Sequence, residues 1–151
     1  MKNSVTGEEL KEFAGRSLQP SEWMTITQER IDGFADVTED HQFIHVDPEL
    51  AAQTPFGGTI AHGYLTLALV VPLAAEVEMP TGNAMMGVNY GSDKIRFPAP
   101  VPVDSRIRAR VAIADVSEVS GGIQINRTVT MEIEGKEKPA MVAETIVRLY
   151  Y

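Results

Sequence analysis

The densest cluster of residues able to transfer a proton is Asp40-His41-Gln42-Phe43-Ile44-His45-Val46-Asp47, which holds two of the chain's three histidines. A carboxylate and an imidazole that contact one water can move protons in both directions near neutral pH. Five positions separate Asp40 from His45, and on a helix this spacing puts them about 140° apart. The two side chains can therefore act together only if the chain bends between them. Otherwise Asp40 caps a helix and His45 lies at the surface.

The same cluster contains two histidines at a spacing that can bind a metal. His41 and His45 form H-x-x-x-H, with which two histidines on one helix face bind zinc. However, Gln42 stands where zinc proteases carry their catalytic Glu, and Pro48 opposes a helix that continues through this segment. No third ligand is fixed by the pattern, although His62 and Asp47 are available. We therefore expect no metal here.

A glycine-rich segment, Gly57-Gly58-Thr59-Ile60-Ala61-His62-Gly63-Tyr64, leads into an uncharged helix predicted to begin at about Ile60. Backbone N–H groups at a helix start can stabilise a negative oxygen, and a glycine lets a substrate approach the main chain closely. Gly63 fits either this role or close packing of the helix on a sheet. His62 fits either a catalytic role or a hydrogen bond that shapes the turn.

Basic residues gather in the second half of the chain at Lys94, Arg96, Arg106, Arg108 and Arg110. Alternation puts the three later arginines on one face of a strand, where we expect a solvated outer surface. The earlier two lie beside a predicted turn at Asn89-Tyr90-Gly91. They are better placed to dock the phosphates of a substrate.

The helices that position these groups are indicated by their caps. Thr6-Gly7-Glu8-Glu9 predicts a short helix with Thr6 as its cap, and Thr27 caps a second helix. Asp47-Pro48 predicts the start of a third. The residues from 39 to 46 are then a connector between helices. A connector can bend, and a bend is needed if Asp40 and His45 are to contact the same water.

Strands are predicted at 23–27, 105–116, 123–133 and 141–151, and one or two more within 83–97. Short turns join the strands in the second half of the chain, which indicates an antiparallel sheet with one solvent-exposed face. The run from Tyr64 to Ala75 is apolar nearly all round and must be enclosed. We therefore predict an α+β fold in which a curved antiparallel sheet wraps one central helix.

Composition excludes several classes of protein. A length of 151 residues favours a single domain, 1–151. A net charge of −8 argues against binding nucleic acid or an anionic membrane. The chain has no cysteine, which excludes disulfides, thiolate catalysis and Cys-ligated zinc. The N-terminal segment lacks the apolar core of a signal peptide, and no clean apolar run approaches the ~20 residues of a membrane span, so we expect a cytoplasmic protein.

Two segments together resemble the hydratase motif of MaoC-like dehydratases, the (R)-specific enoyl-CoA hydratases of the hot-dog fold. They are Phe34-Ala-Asp-Val-Thr-Glu-Asp40 with Ile44-His45-Val-Asp47, and Pro55-Phe-Gly-Gly-Thr-Ile-Ala-His62-Gly63. Within the family the chain is most similar to the nodulation protein N-like branch. The similarity continues through Asn89-Tyr-Gly-Ser-Asp-Lys94-Ile-Arg96-Phe-Pro-Ala-Pro-Val-Pro to the C-terminus.

The resemblance implies that Asp40 and His45 hold the reacting water, and that the Gly63 N–H helps to bind the thioester oxygen. The implied reaction is (R)-specific hydration of trans-2-enoyl-CoA to (R)-3-hydroxyacyl-CoA and its reverse, without a metal or organic cofactor. The family works as dimers or pseudo-dimers with acyl-CoA near the interface. A single hot-dog unit here implies a homodimer.

Candidate substrate-binding residues are Gln42, Phe43, His62, Tyr90, Lys94 and Arg96. Gln42-Phe43 replaces the Asn-Pro of many family members: the glutamine keeps an amide, and Phe43 is expected at the acyl pocket. Asp93 and Asp104 stand where relatives carry uncharged residues, and they dilute the basic patch.

Two alternatives to a hydratase stay open. Hot-dog thioesterases share the architecture, but many place Asp or Glu on the central helix, and the run from Tyr64 to Ala75 has neither. A dimer that binds acyl-CoA without turning it over is the non-enzymatic alternative. Release of free thiol would identify the first, and binding without turnover the second.

Overall fold

The computed structural model describes residues 7–77 and 81–151. Thr6, the predicted cap of the first helix, lies outside the described residues. The elements in chain order are α1 (Gly7–Lys11), β1 (Met24–Thr25), α2 (Gln28–Thr38), α3 (Phe43–Val46), α4 (Pro48–Ala51), α5 (Gly63–Ala68), α6 (Val70–Glu76), β2 (Met86–Arg96), β3 (Arg106–Val119), β4 (Gly122–Ile133) and β5 (Met141–Tyr150). Within the described ranges, none of these helices has the length and apolar character needed to cross a membrane.

One five-stranded antiparallel sheet, in the order β1-β3-β4-β5-β2, forms the scaffold. Alternate residues of β3, namely Ile107, Ala109, Val111 and Ile113, are at most 2% exposed. They share one core with Leu65, Leu69 and Leu73 of the helices. The predicted hot-dog arrangement, a sheet wrapped around apolar helix, is therefore confirmed.

The central helix begins at Gly63, so the predicted start at about Ile60 is wrong. Ile60 instead forms a β-bridge with Pro102, and the Ala61 N–H donates to the Val101 carbonyl at 2.9 Å. The helix is also divided between α5 and α6. Pro72 explains the division, because it has no N–H to donate to the carbonyl four residues earlier.

Two further expectations need correction. The connector from 39 to 46 contains one helical turn, α3. The predicted turn at Asn89-Tyr90-Gly91 is absent, because these residues lie inside β2, where the pairing with β5 shifts register between Asn89 and Gly91. A register shift of this kind lets a strand that contains glycine continue at a position where the sequence alone predicts a turn.

The outer face of β3 is the solvated surface that the alternation predicts. Arg106 pairs with Glu134, and Glu132 lies between Arg108 and Arg110 at 2.6 and 2.9 Å. These arginines are satisfied by neighbouring glutamates. They therefore offer no free patch for substrate phosphates.

Candidate active site

The chain between α2 and α3 bends enough to bring Asp40 and His45 together. Helix α2 ends at Thr38, and Glu39 adopts a left-handed conformation with φ 60° that turns the chain. The single turn of α3 then carries His45 inward. A carboxylate oxygen of Asp40 and one ring nitrogen from each of His45 and His62 all lie within 4.8 Å of one another. Asp40 is exposed whereas both histidines are buried, so the acid lies at the solvent side of the group.

His45 is held in one tautomer. Its Nδ1 lies 2.7 Å from the Ile60 carbonyl oxygen, which can only accept, so Nδ1 carries the proton and Nε2 presents a lone pair. Burial lowers the pKa of His45, opposed by the Ile60 hydrogen bond and the Asp40 charge and reinforced by His62. The imidazole is therefore neutral near pH 7, as a general base must be.

His62 supports both members of the pair. Its ring stacks on that of His45 with centroids 3.9 Å apart and planes 23° apart. Its Nε2 lies 3.0 Å from the main-chain oxygen of Asp40, so Nε2 is the donor nitrogen, and Phe34 packs against the ring at 4.9 Å. Nδ1 is buried and has no hydrogen-bond partner among residues 7–77 and 81–151. His62 is 2% exposed and is not among the residues that line the cavity beside His45.

Gln28, which the sequence analysis did not single out, ties α2 to the site. Its Nε2 donates to the His45 carbonyl at 2.7 Å, and its Oε1 accepts from the hydroxyl of Thr59. These contacts fix the main chain on both sides of the pair. Nothing in the local sequence distinguishes Gln28 from an exposed residue in the first turn of a helix, so the role becomes visible only in the fold.

A cavity of about 280 Å³ adjoins the pair and is lined by His45, Gly63 and Thr66 together with Phe56, Phe97 and other apolar residues. Gly63 is the first residue of α5, and its N–H has no carbonyl partner within that helix. A Cβ built on Gly63 would lie 3.3 Å from Cζ of Phe97. That geometry is compatible with both interpretations of Gly63, namely close packing of the helix and close approach of a substrate to the main chain.

The remaining candidates are not all brought to this cavity. Gln42 and Phe43 are exposed at the start of α3, close in sequence to His45. Lys94 and Arg96 are exposed near the end of β2, just before the cavity-lining Phe97. Tyr90 lies elsewhere.

Tyr90 contacts Arg148 rather than the cavity beside His45. Its ring lies under the guanidinium of Arg148, 3.4 Å from Cζ to the centroid. Arg148 belongs to the face of β5 opposite the buried Thr145 and Leu149. Tyr90 is therefore on the outer face of the sheet, and not in the cavity of its own chain.

The donor set of Asp40, His45 and His62 contains ligand types that zinc accepts. However, the two stacked rings lie within 23° of parallel with centroids 3.9 Å apart, so their in-plane lone pairs lie in two nearly parallel planes, whereas two imidazoles that bind one metal need planes that meet at the ion. His41, the other member of the H-x-x-x-H pair, contacts Asp36 at 2.9 Å and stays outside the group. This geometry suits proton transfer better than metal ligation.

Comparisons with known proteins identify the family of the chain. Residues 9–136 match the MaoC like domain. The chain is 50% identical over 141 residues to 3-hydroxyacyl-thioester dehydratase Z of Mycobacterium tuberculosis, which covers 93% of each chain. It is 44% identical to Nodulation protein N of Rhizobium leguminosarum bv. viciae, over 91% of this chain and 86% of the relative.

Among solved structures, the (R)-hydratase from A. caviae involved in PHA biosynthesis has the same fold. It superposes with a TM-score of 0.73 at 24% identity, covering 89% of this chain and 96% of that one. A domain match over most of the chain and a dehydratase at 50% identity lead to one conclusion. The chain belongs to the MaoC-like dehydratase family and is a hydro-lyase.

Proposed function

We propose that the protein catalyses (R)-specific hydration of trans-2-enoyl-CoA to (R)-3-hydroxyacyl-CoA and the reverse dehydration. The observation that carries this proposal is the convergence of Asp40 and His45 beside a cavity whose wall includes Gly63. A 50% identical relative is named for a 3-hydroxyacyl thioester, which supports the choice of substrate class. CoA is the proposed carrier.

The proposed chemistry begins with one water between the pair. The Asp40 carboxylate accepts a hydrogen bond from it and orients it toward C3, while Nε2 of His45 accepts a proton as the oxygen bonds to C3. The imidazolium then returns a proton to C2. In the reverse direction the same nitrogen removes the C2 proton and protonates the departing hydroxyl. No metal or organic cofactor takes part in this proposal, so activity should survive EDTA.

Between these steps the substrate carries an enolate charge on its thioester oxygen. We propose that the Gly63 N–H donates to this oxygen, because it lacks a partner in its helix and lines the same cavity as His45. Loss of one such donor typically costs about 3–4 kcal/mol of transition-state stabilisation. A Cβ at this position would crowd the ring of Phe97.

His62 is proposed as a positioning residue rather than as the substrate contact predicted from sequence. It acts through two other groups, the His45 ring and the Asp40 main chain. Phe43 and Gln42 are proposed to contact the acyl part, and Lys94 and Arg96 the CoA phosphates, on the grounds of exposure and of closeness in sequence to the cavity.

We further propose that the protein is a homodimer that pairs through β2. This strand is at one edge of the sheet, and ten of its eleven residues are exposed. Met86, Val88 and Tyr90 are exposed apolar residues on it. An unpaired apolar edge is a template for another strand, and a second copy is the partner that satisfies it symmetrically.

The test is a spectrophotometric assay of crotonyl-CoA and longer trans-2-enoyl-CoA hydration, with the chirality of the product determined. We expect loss of the enoyl absorbance, (R)-3-hydroxyacyl-CoA as product and no free thiol. Thiol release would instead identify a thioesterase. Saturable binding without turnover would identify a non-catalytic acyl-CoA-binding protein.

A further inference from the structure

The side-chain amide of Gln28 makes three hydrogen bonds that fix its orientation. Its Nε2 lies 2.7 Å from the His45 carbonyl oxygen and 2.8 Å from Oδ1 of Asp32, and its Oε1 contacts the hydroxyl of Thr59. A carbonyl and a carboxylate can only accept, so the NH2 group must face both of them and the Thr59 hydroxyl must donate to Oε1. A flipped amide would instead place its oxygen against two acceptors.

These bonds close a ring that contains the imidazole of His45. Gln28 links the His45 carbonyl to Thr59, the next residue is Ile60, and the Ile60 carbonyl oxygen lies 2.7 Å from His45 Nδ1. The Ile60 N–H also donates to the Ile44 carbonyl at 3.0 Å. Ile60 is therefore held from two sides, by the main chain of α3 and by Gln28 through Thr59.

Thr59 makes the ring costly to break. It is 2% exposed, and within residues 7–77 and 81–151 its hydroxyl has no hydrogen-bond partner besides Gln28. A buried hydroxyl that loses its partner costs free energy. An apolar side chain at position 28 would therefore drive Thr59 to shift toward another acceptor, and Ile60 would move with it.

The position of the Ile60 oxygen matters because a neutral imidazole has two tautomers. Burial favours the neutral form of His45 by lowering its pKa, and the Ile60 oxygen selects the tautomer that carries its proton on Nδ1. Without this acceptor the ring populates both tautomers. Only the selected tautomer has a lone pair on Nε2 that can accept a proton.

We propose that Gln28 is a positioning residue, which holds the Ile60 carbonyl oxygen at His45 Nδ1 through Thr59 and so keeps Nε2 as the proton acceptor. Gln28 is not among the residues that line the cavity beside His45, so it acts through other groups. Its effect on rate rests on the proposed hydratase function, whereas its effect on the tautomer does not.

Nitrogen NMR of the full-length protein with 15N-labelled histidine tests the effect on the tautomer. At about pH 7.5, where His45 is neutral, we expect the parent protein to show a protonated Nδ1 and an unprotonated Nε2 at this residue. Gln28→Met keeps the length of the side chain and should move both shifts toward those of a mixture of tautomers. The His45 signals are assigned by their loss in His45→Gln.

Gln124 provides the matched control. It is half-buried like Gln28, and its amide accepts from Arg148 and donates to Asn126. However, it lies on the outer face of the sheet, away from the cavity beside His45. Gln124→Met should therefore leave the His45 shifts and the hydration rate unchanged.

Kinetics test the effect on the reaction. We expect kcat for enoyl-CoA hydration to fall about 10- to 100-fold in Gln28→Met with KM within about twofold of the parent value, because the base is misplaced after the substrate has bound. Thr59→Val breaks the ring at its other end and should give a similar loss, and Thr59→Ser, which keeps the hydroxyl, should recover most of it. The double variant Gln28→Met with Thr59→Val should be no slower than the slower single variant.

Two results would overturn the proposal. Unchanged His45 shifts in Gln28→Met would do so, as would a lower melting temperature in Gln28→Met with kcat unchanged, since the amide would then only stabilise the fold. If Gln28→Met does not fold, Thr59→Val is measured in its place and judged by the same outcomes. A parent protein without hydratase activity would contradict the proposed function, and the NMR comparison would still decide whether Gln28 sets the tautomer.

Discussion

His45 is oriented by a main-chain oxygen, and this choice of partner has chemical consequences. The Ile60 carbonyl fixes Nδ1 as the donor without placing a second carboxylate against the ring. The ring is 6% exposed, so burial dominates and the neutral form is favoured. In the proposed reaction, the Asp40 carboxylate faces the imidazolium that forms during turnover. A neutral His45 can accept a proton at Nε2, as that reaction requires.

The first prediction follows from the lowered pKa of His45. The unfolded chain binds a proton at about pH 6.5, whereas the folded chain does so only at lower pH. Folding stability should therefore be fully present above about pH 6.5 and should decrease as the pH falls below it. Urea unfolding between about pH 5 and 7.5 checks this. A slope as steep in His45→Gln as in the parent protein would contradict it.

The same group should control the acid limb of the reaction. We expect kcat/KM for hydration to fall on the acid side with an apparent pKa below 6.5, because protonation of Nε2 removes the base. An acid limb above that value would indicate a different group.

His62 gives the second prediction. His62→Phe keeps a ring against His45 but loses the donor to the Asp40 main chain, whereas His62→Gln keeps a donor and loses the stack. Because His62 acts through the catalytic pair, both should lower kcat about ten- to a hundredfold with KM nearly unchanged, and should shift the acid limb. An effect on KM alone would indicate a substrate contact.

At this scale, residue types and the flanking helix signals indicate Asp40, His45 and the turn-shaping His62, but not the contacts that orient His45. The bonds that orient His45 join it to Ile60 and Gln28, 15 and 17 positions away. Such contacts depend on how α2 and the extended segment 59–61 pack, and no local pattern specifies that.

At the scale of elements, the start of α5 has the clearest testable role. His62 adopts the extended conformation, φ −60° and ψ 140°, that a following proline accepts, and proline is tolerated at the first position of a helix. Gly63→Pro therefore removes the N–H with limited effect on the helix. Gly63→Ala adds only the Cβ that crowds Phe97.

The third prediction compares these two variants. Gly63→Pro should lose about 100- to 1,000-fold in kcat relative to Gly63→Ala, the range typical of one lost oxyanion donor. Steady-state kinetics on enoyl-CoA measure the difference, with circular dichroism to verify folding. Equal activities would show that the Gly63 N–H does not stabilise the developing charge.

The strands show where sequence patterns succeed and fail. Strict alternation in β3 predicts its inner and outer faces, because the period of two is local. The absent turn at Asn89-Tyr90-Gly91 depends on β5, which pairs with β2 from more than fifty positions away.

At the scale of the whole molecule, the fourth prediction concerns dimerisation through the unpaired edge of β2. The protein should sediment at about twice its chain mass of 16.5 kDa. Val88→Asp combined with Tyr90→Asp should dissociate the dimer, because like charges would meet across the paired edges. Analytical ultracentrifugation checks both statements. A monomeric parent protein, or an intact dimer in the double variant, would contradict pairing through β2.

The central claim, that Asp40 and His45 together carry the reaction, can be tested against a matched pair within the same chain. Asp36 and His41 have the same residue types and the same spacing, and they contact each other at 2.9 Å outside the cavity. Substitutions in this second pair should leave hydration nearly unchanged. They control for loss of charge and for local changes in folding.

The most direct measurement is kcat/KM for trans-2-enoyl-CoA hydration by Asp40→Asn, His45→Gln, Asp36→Asn and His41→Gln beside the parent protein. We expect the first two to lose about 100- to 10,000-fold, the range of general acid–base catalysis, and the last two to stay within about threefold. Activity near that of the parent protein in both Asp40→Asn and His45→Gln would contradict the account.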